Sequence, residues 1–216
     1  MISFHHANKS YRAGATRKWI LRDVNDTVSL DGNLGILGRN GAGKSTLLRI
    51  LAGVEPLDRG DISCRFRLSW PLGFTGGVHP RLTGEENCRF ISRIYGYDTG
   101  YMIDFVDDFS ELGVYLRMPV ATYSSGMRAR LAFSISMAIN FDVYLVDEII
   151  AVGDKLFQRK CRKAFQERQS RSKIIIVSHN FQTIRNYCSS GAVLHNGELK
   201  FFEDISEARQ YYEKLH

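Results

Sequence analysis

Gly38-Arg39-Asn40-Gly41-Ala42-Gly43-Lys44-Ser45-Thr46 decides how the rest of the chain is read. It fits G-x-x-x-x-G-K-[ST], a phosphate-binding P-loop. Its glycines let the backbone curl so that successive N–H groups converge on one anion. Lys44 has the reach for β- and γ-phosphates, and the Ser45 hydroxyl is an oxygen donor for Mg²⁺. The flanks agree. Leu34-Gly35-Ile36-Leu37 reads as a short buried strand, and Ser45 to Leu51 as the helix that follows. A helix N-terminus beneath the loop adds positive partial charge. A plain Gly-rich turn would not need the strand before it and the helix after it. The stretch predicts a nucleoside triphosphate site.

Composition bounds the alternatives. The 216 residues suit one large domain or a core with a subdomain, and 44% hydrophobic content supplies a substantial core. There is no low-complexity tail and no internal repeat. Cys64, Cys88, Cys161 and Cys188 are far apart and form no C-x-x-C pair, so buried reduced thiols are expected, as in a reducing compartment. No apolar run approaches the roughly 18 residues that span a bilayer. The most apolar stretch, Leu131 to Ile139, is too short and contains two serines. Met1 to His6 lacks the features of a signal peptide. A cytoplasmic chain is therefore expected. The net charge of +6 is spread over residues such as Arg65, Arg89, Arg128, Lys160 and Arg171, which favours a solubilising surface over a polybasic arm.

The first ~35 residues suggest short strands with a turn at Ala13-Gly14-Ala15. Pro56 to Gly60 reads as a turn and Arg65 to Trp70 as a strand. Pro71 to Gly84 holds four glycines and two prolines, a shaped loop. From Glu85 to about Ile139 the period turns helical. One apolar stripe would be Phe90, Ile91, Ile94 and Tyr95, another Ile103, Phe105, Val106 and Phe109. Val143 to Val146 and Ile174 to Val177 are continuous apolar runs, as buried parallel strands require. Ala192 to Phe202 reads as a hairpin turning at Asn196-Gly197. Asp204 with Glu207 is a capping pair for a last helix.

Three further elements bear on chemistry. Asp147-Glu148 follows the Val143–Val146 run, where acids at the end of a buried strand suit a Walker B motif. Asp147 is then a Mg²⁺ ligand and Glu148 the general base that polarises water. Tyr123-Ser124-Ser125-Gly126-Met127-Arg128 opens a helix of small and apolar residues and offers a second anion site. Ser178-His179 follows the 174–177 strand, which puts His179 within reach of a γ-phosphate.

In that order the elements resemble the ATP-binding subunit of ABC transporters, over essentially the whole chain. The resemblance implies ATP and Mg²⁺ as cofactors. It implies a homodimer in which Ser124, Ser125 and Gly126 complete the site built on the partner's Lys44. His179 becomes the switch histidine, Asp154 the loop acid at the dimer contact, and Tyr11 an aromatic stacked on adenine. A core or surface role for Tyr11 stays open. The nucleotide-binding set is then Tyr11, Gly38, Arg39, Asn40, Gly41, Ala42, Gly43, Lys44, Ser45, Thr46, Ser124, Ser125, Gly126 and Asp154. Ser45 and Asp147 hold the metal, and Lys44, Glu148 and His179 are catalytic.

The departures narrow the branch. Tyr-Ser-Ser-Gly-Met stands where the wider family prefers Leu-Ser-Gly-Gly-Gln, and no glutamine lies between Cys64 and Glu86, where the family places its Q-loop. Asp147 to Cys161 looks like the polysaccharide-export branch. Ser69 to Phe74 and Leu82-Thr83-Gly84-Glu85-Glu86-Asn87 look like its capsular members. With its last residue at His216, the resemblance leads to the expectation of a chain that lacks the added carbohydrate-binding domain of O-antigen exporters.

The resulting expectation is an α/β P-loop NTPase with a parallel-sheet core, an antiparallel β edge and an inserted helical subdomain. The core would take about 1–84 and 140–216, and the subdomain about 85–139. The expected partners are a second copy and two integral-membrane permease subunits, with no nucleic acid. The site of action would be the cytoplasmic face of a bacterial inner membrane, the glycan being handled by the permease. The loop at 71–84 and the helix up to Arg93 would receive the permease, with Trp70 and Phe74 either lining that contact or packing in the core. An ABC ATPase for a lipid or drug is the alternative. A relative acting on nucleic acid or ribosomes would carry a coiled coil, zinc cysteines or tandem cassettes.

Overall fold

The computed structural model describes residues 1–14, 16–147, 153–178 and 180–215. They form two compact units. One spans Met1–Pro71, Phe141–Ile149 and Ser172–His216; the other spans Leu72–Asn140 and Ile150–Arg171. Among the described residues the second unit begins at Leu72 and also takes in 153–171.

The first unit carries two sheets. β1 (Ile2–Ala13), β2 (Thr16–Val28) and β4 (Arg59–Cys64) form an antiparallel sheet in the order β2-β1-β4. β1 and β2 are long, where short strands were expected. Register shifts between Phe4 and Ala7, Ala7 and Lys9, and Lys9 and Ser10 bend the pair without ending it. The second sheet has five strands, with β5 (Val143–Asp147), β6 (Lys173–Val177), β3 (Leu34–Leu37), β7 (Ser190–His195) and β8 (Glu198–Phe202) side by side in that order. The first four pair in parallel, and β8 closes one edge antiparallel. β3, between β6 and β7, is buried along its whole length, which explains its purely apolar sequence. Gly35 is required there. A Cβ would lie 2.0 Å from Ile184 Cγ2, on the helix α6 (Phe181–Tyr187) that covers the strand.

Leu34, Ile36, Val143, Leu145, Ile175, Val177, Ala192 and Leu194 meet Ile20, Leu21, Leu47 and Leu48 in one core. Each large aliphatic side chain buried there contributes about 1.5–3 kcal/mol. The expected hairpin turn is present, with Asn196 at φ 49 and Gly197 at φ 87, the positive pair of a type I′ turn. The last helix, α7 (Ile205–Lys214), is capped by Asp204, whose carboxylate accepts from Ser206 N–H.

One expected strand is displaced. Residues 65–70 form no regular strand; a single parallel bridge joins Leu68 to Val143, and the strand of this region is β4. Ser69 Oγ accepts from Leu145 N–H at 2.9 Å, so a side chain takes the place of a ladder carbonyl just before Pro71.

The second unit is helical. α2 (Gly84–Tyr95), α3 (Thr99–Ser110), α4 (Ser125–Ala138) and α5 (Lys155–Gln169) enclose Met102, Val106, Phe133 and Phe157. Phe109 stacks on Phe105 at 5.6 Å and meets Phe157 edge-on at 5.8 Å. The expected stripe on α2 is wrong in composition. Asn87, Cys88, Ile91 and Ser92 are buried, whereas Phe90 and Ile94 are 56% and 61% exposed. Asn87 decides the face. Its amide donates to the carbonyls of His79 (3.1 Å) and Thr83 (2.8 Å) and accepts from His79 N–H (2.7 Å), which pins the loop before the helix. Thr83 and Glu86 form a reciprocal capping box.

A phosphate loop and its surroundings

β3 delivers the chain to the P-loop at the carboxyl end of the parallel sheet, where ligands of open α/β folds bind. The loop is shaped by backbone that only glycine adopts readily. Gly41 has φ 77 and Gly43 φ 105. A Cβ on Gly43 would also lie 2.6 Å from Ile20 Cγ2. The helix α1 (Lys44–Leu51) starts immediately after it. Lys44 is 8% exposed, and its ammonium donates to the carbonyls of Gly38 (2.7 Å) and Arg39 (3.0 Å). The cation therefore sits within the loop.

Asp147 is the half-buried last residue of β5 after four buried ones. It lines the same pocket, of about 640 Å³, as Tyr11, Lys18, Ile20, Asn40, Gly41, Gly43, Lys44, Ser45 and Thr46. The fold thus gathers the glycine-rich loop, the Asp147 carboxylate and the aromatic of β1 around one space. Ser45 and Asp147 contribute hard oxygen donors, the set that suits Mg²⁺. Arg39, Asn40, Gly41 and Ala42 also face a neighbouring hollow with Arg17, Lys18, Trp19 and His195, which extends positive charge beside the loop. Gly38 is enclosed, a Cβ there meeting Leu194 O at 2.7 Å. Glu148 and His179 lie outside the described residues. Ser178, next to His179, is buried and accepts from Asn180 N–H at 3.0 Å.

The helical unit holds the remaining candidates. Ser124 caps α4, its Oγ accepting from Met127 N–H at 3.2 Å, and both Ser124 and Ser125 are exposed. Tyr123 anchors that turn. It is buried, its hydroxyl donates to Tyr115 O, and burial raises its pKa. Asp154 caps α5, accepting from Leu156 N–H (2.9 Å) and Phe157 N–H (3.0 Å), and pairs with Arg130 of α4. Those amide contacts, with Arg130, hold its carboxyl below the usual range. Trp70 packs edge-on against Phe141 at 5.6 Å, the core-packing arrangement, and Phe74 lies over Gly76. All four cysteines are free. Burial pushes the thiols of Cys88, Cys161 and Cys188 up to about 12, so they stay protonated near neutrality.

Sequence reading missed the residues behind the pocket. Lys9, Arg49 and Glu55 form ion pairs beside Tyr11. Their types carry no motif, and only the i, i+2 spacing of Lys9 and Tyr11 on β1 hinted at a shared face.

Comparisons with known proteins agree with this architecture. Residues 21–151 match the ABC transporter family. The capsule polysaccharide export ATP-binding protein CtrD of Neisseria meningitidis serogroup B is 48% identical over 216 residues, covering 100% of both chains. The ATP-binding protein BexA of Haemophilus influenzae is 47% identical over 213 residues, 98% of each. A solved dimeric ATP-binding cassette, MJ0796 in a post-hydrolysis state with ADP and Pi, superposes with a TM-score of 0.69 at 18% identity, over 93% of this chain and 98% of that one. Among the described residues no helix is long and apolar enough to cross a membrane.

Proposed function

This chain belongs to the ABC transporter family, and from that premise we propose that it is the ATP-hydrolysing subunit of a capsule-polysaccharide exporter, working on a separate membrane permease. The observation that carries the reading is the one pocket uniting Tyr11, Lys44, Ser45 and Asp147, in a chain alignable end to end with a capsule polysaccharide export ATP-binding protein.

The proposed chemistry follows from the groups at hand. The loop N–H groups and the α1 N-terminus bind phosphate oxygens, and Lys44 neutralises charge at the γ-phosphate. Ser45 and Asp147 would hold Mg²⁺, which supplies further charge neutralisation when bound. Glu148 takes a proton from the attacking water, and His179 contacts the γ-phosphate; both roles rest on the sequence. The Tyr11 ring stacks on adenine, which binds the base without reading its edges.

Ser124, Ser125 and Gly126 are proposed to act on the ATP of a second copy. Gly126 supports this. It has no positive φ, and a Cβ there would meet nothing nearer than Ser124 Oγ at 3.9 Å, so its own chain does not need glycine at that position. Glycine in a helix costs about 1 kcal/mol relative to alanine. Close approach by a phosphate outside the chain would explain why it is there. In a mixed dimer of Lys44→Ala and Gly126→Asp chains one composite site stays intact, so mixing two inactive preparations restores turnover. No recovery in a verified mixed dimer would sink the idea.

The proposed place of work is the inner face of the membrane, on two permease subunits. The exposed Phe90 and Ile94 on α2, beside the loop pinned by Asn87, offer apolar surface for a permease helix. The test is fractionation of cells in high salt, with and without the permease gene. Apolar docking keeps the chain on membranes only when the permease is present, since salt near 1 M shortens the reach of exposed charges from about 8 Å to about 3 Å and leaves apolar burial intact. Surface glycan that persists after deletion of this gene would remove the export role.

A further inference from the structure

Glu55 lies in the turn just beyond α1, at the back of the nucleotide pocket. Its side chain is only 16% exposed and lies between two cations. Oε1 pairs with Lys9 Nζ at 3.1 Å and accepts a hydrogen bond from the Tyr11 hydroxyl. Oε2 accepts from Arg49 Nε at 3.0 Å, and Arg49 Nη2 donates to Thr46 Oγ1, at the end of the P-loop motif, at 3.1 Å. Lys9 is tied down in turn, donating to Pro56 O at 2.8 Å, and its ammonium lies 5.3 Å from the Tyr11 ring centroid. The Tyr11 ring itself is 41% exposed and lines the pocket with the P-loop. An exposed ring with a hydroxyl free in water would turn about its side-chain torsions, and ordering it would cost affinity on every binding event. Fixing the hydroxyl removes that cost before the base arrives. The two cations offset the carboxylate charge, so an acid can stand this near a phosphate site without repelling it.

We propose that Glu55, clamped by Lys9 and Arg49, is a positioning residue that holds the Tyr11 ring in its base-stacking orientation. The inference rests on the reading of Tyr11 as the adenine platform. It also fixes how Glu55 acts, through the ring and not through the phosphate loop, although Arg49 touches both.

The test is calorimetric binding of ATP and of inorganic tripolyphosphate, which has phosphates but no base, to the full chain. Tyr11→Phe keeps the ring and loses the anchor; Glu55→Ala loses the anchor from the other side. Each is expected to weaken ATP about three- to tenfold, the usual cost of immobilising one side chain, and to leave tripolyphosphate unchanged. The double variant is expected to be no weaker than the weaker single, because both remove one interaction. Glu55→Met, close to glutamate in length and without an oxygen to accept from the Tyr11 hydroxyl, replaces Glu55→Ala if the latter unfolds. Equal losses for ATP and tripolyphosphate, fully additive losses, or wild-type ATP binding in Glu55→Ala and Tyr11→Phe would each overturn the proposal. Tyr11→Ala separates the two layers. If it binds ATP as well as wild type, the base-platform reading itself fails. If it weakens ATP while Glu55→Ala does not, only the role of Glu55 falls.

Discussion

Two helices of this molecule begin with glycine and serine, and they begin for different reasons. At the start of α1, Gly43 is imposed from within: its φ is 105, Ile20 leaves no room for a Cβ, and Lys44 is folded into the loop's own carbonyls. At the start of α4, Gly126 has an ordinary backbone, open space around it and exposed serines before it. The first is a loop whose glycine its own chain explains in full. The second has a glycine that its own chain does not use. Glycine alone therefore says little. What discriminates is whether the surrounding protein already explains it.

The largest effects should fall at the first site. Lys44→Ala removes the cation inside the loop, and we expect ATP binding and turnover both to fall, turnover by about 10²–10³-fold or more, the usual loss for one such electrostatic contact. Glu148→Gln is expected to retain ATP binding while losing turnover on at least that scale, as when a base is removed and the binding groups remain. Equilibrium binding and steady-state turnover on the same preparations check both. A Lys44→Ala protein with wild-type ATP affinity would break the first half of the comparison.

The paired glycine substitutions sharpen it. Gly43→Ala should destabilise the chain by about 1–3 kcal/mol, because alanine must adopt a strained φ against Ile20. Gly126→Ala should be neutral or stabilising by up to about 1 kcal/mol, since nothing in the chain opposes it and alanine favours helix. It should nonetheless lower turnover. Denaturant titration gives the signs. A destabilised Gly126→Ala protein would mean that the glycine serves its own fold after all.

The same distinction explains what could be read in advance. The strand, loop and helix around Lys44 and the place of Asp147 at the end of β5 were legible because they lie in contiguous residues flanked by uninterrupted apolar strands. The hairpin at Asn196-Gly197 was legible because two positive φ angles leave few residue choices. The ring of Tyr11 and the carboxylate of Glu55 are 44 positions apart, and they meet only because β1 and the turn after α1 are brought together by the fold. No local pattern encodes that. On α2 the apolar pattern misled, because Asn87 and Ser92 go inward to satisfy loop carbonyls and a neighbouring hydroxyl, turning Phe90 and Ile94 outward. Residues 65–70 misled for a related reason: Ser69 bonds the sheet through its side chain, so an extended sequence makes one bridge and no strand.

The smallest expected effect concerns Asp154, an acid of the helical unit that its own chain does use. It caps α5 through Phe157 and Leu156 N–H groups and meets Arg130. Its pKa is lowered in the folded chain, first by the Phe157 amide, so the folded state favours the ionised form. The sign follows from linkage. A depressed carboxyl pKa stabilises the fold above the unfolded value, about 3.9 for aspartate, and that contribution disappears as pH falls through the folded value. Asp154→Asn keeps a capping side chain and loses only the charge. We therefore expect the mutant to melt slightly below wild type near neutral pH, with the two curves converging as the pH is lowered from about 5 toward 3 and below. Thermal unfolding across that range is the measurement. A gap that stays constant with pH would mean that the cap geometry, and not the charge facing Arg130 and the α5 N-terminus, is what Asp154 contributes.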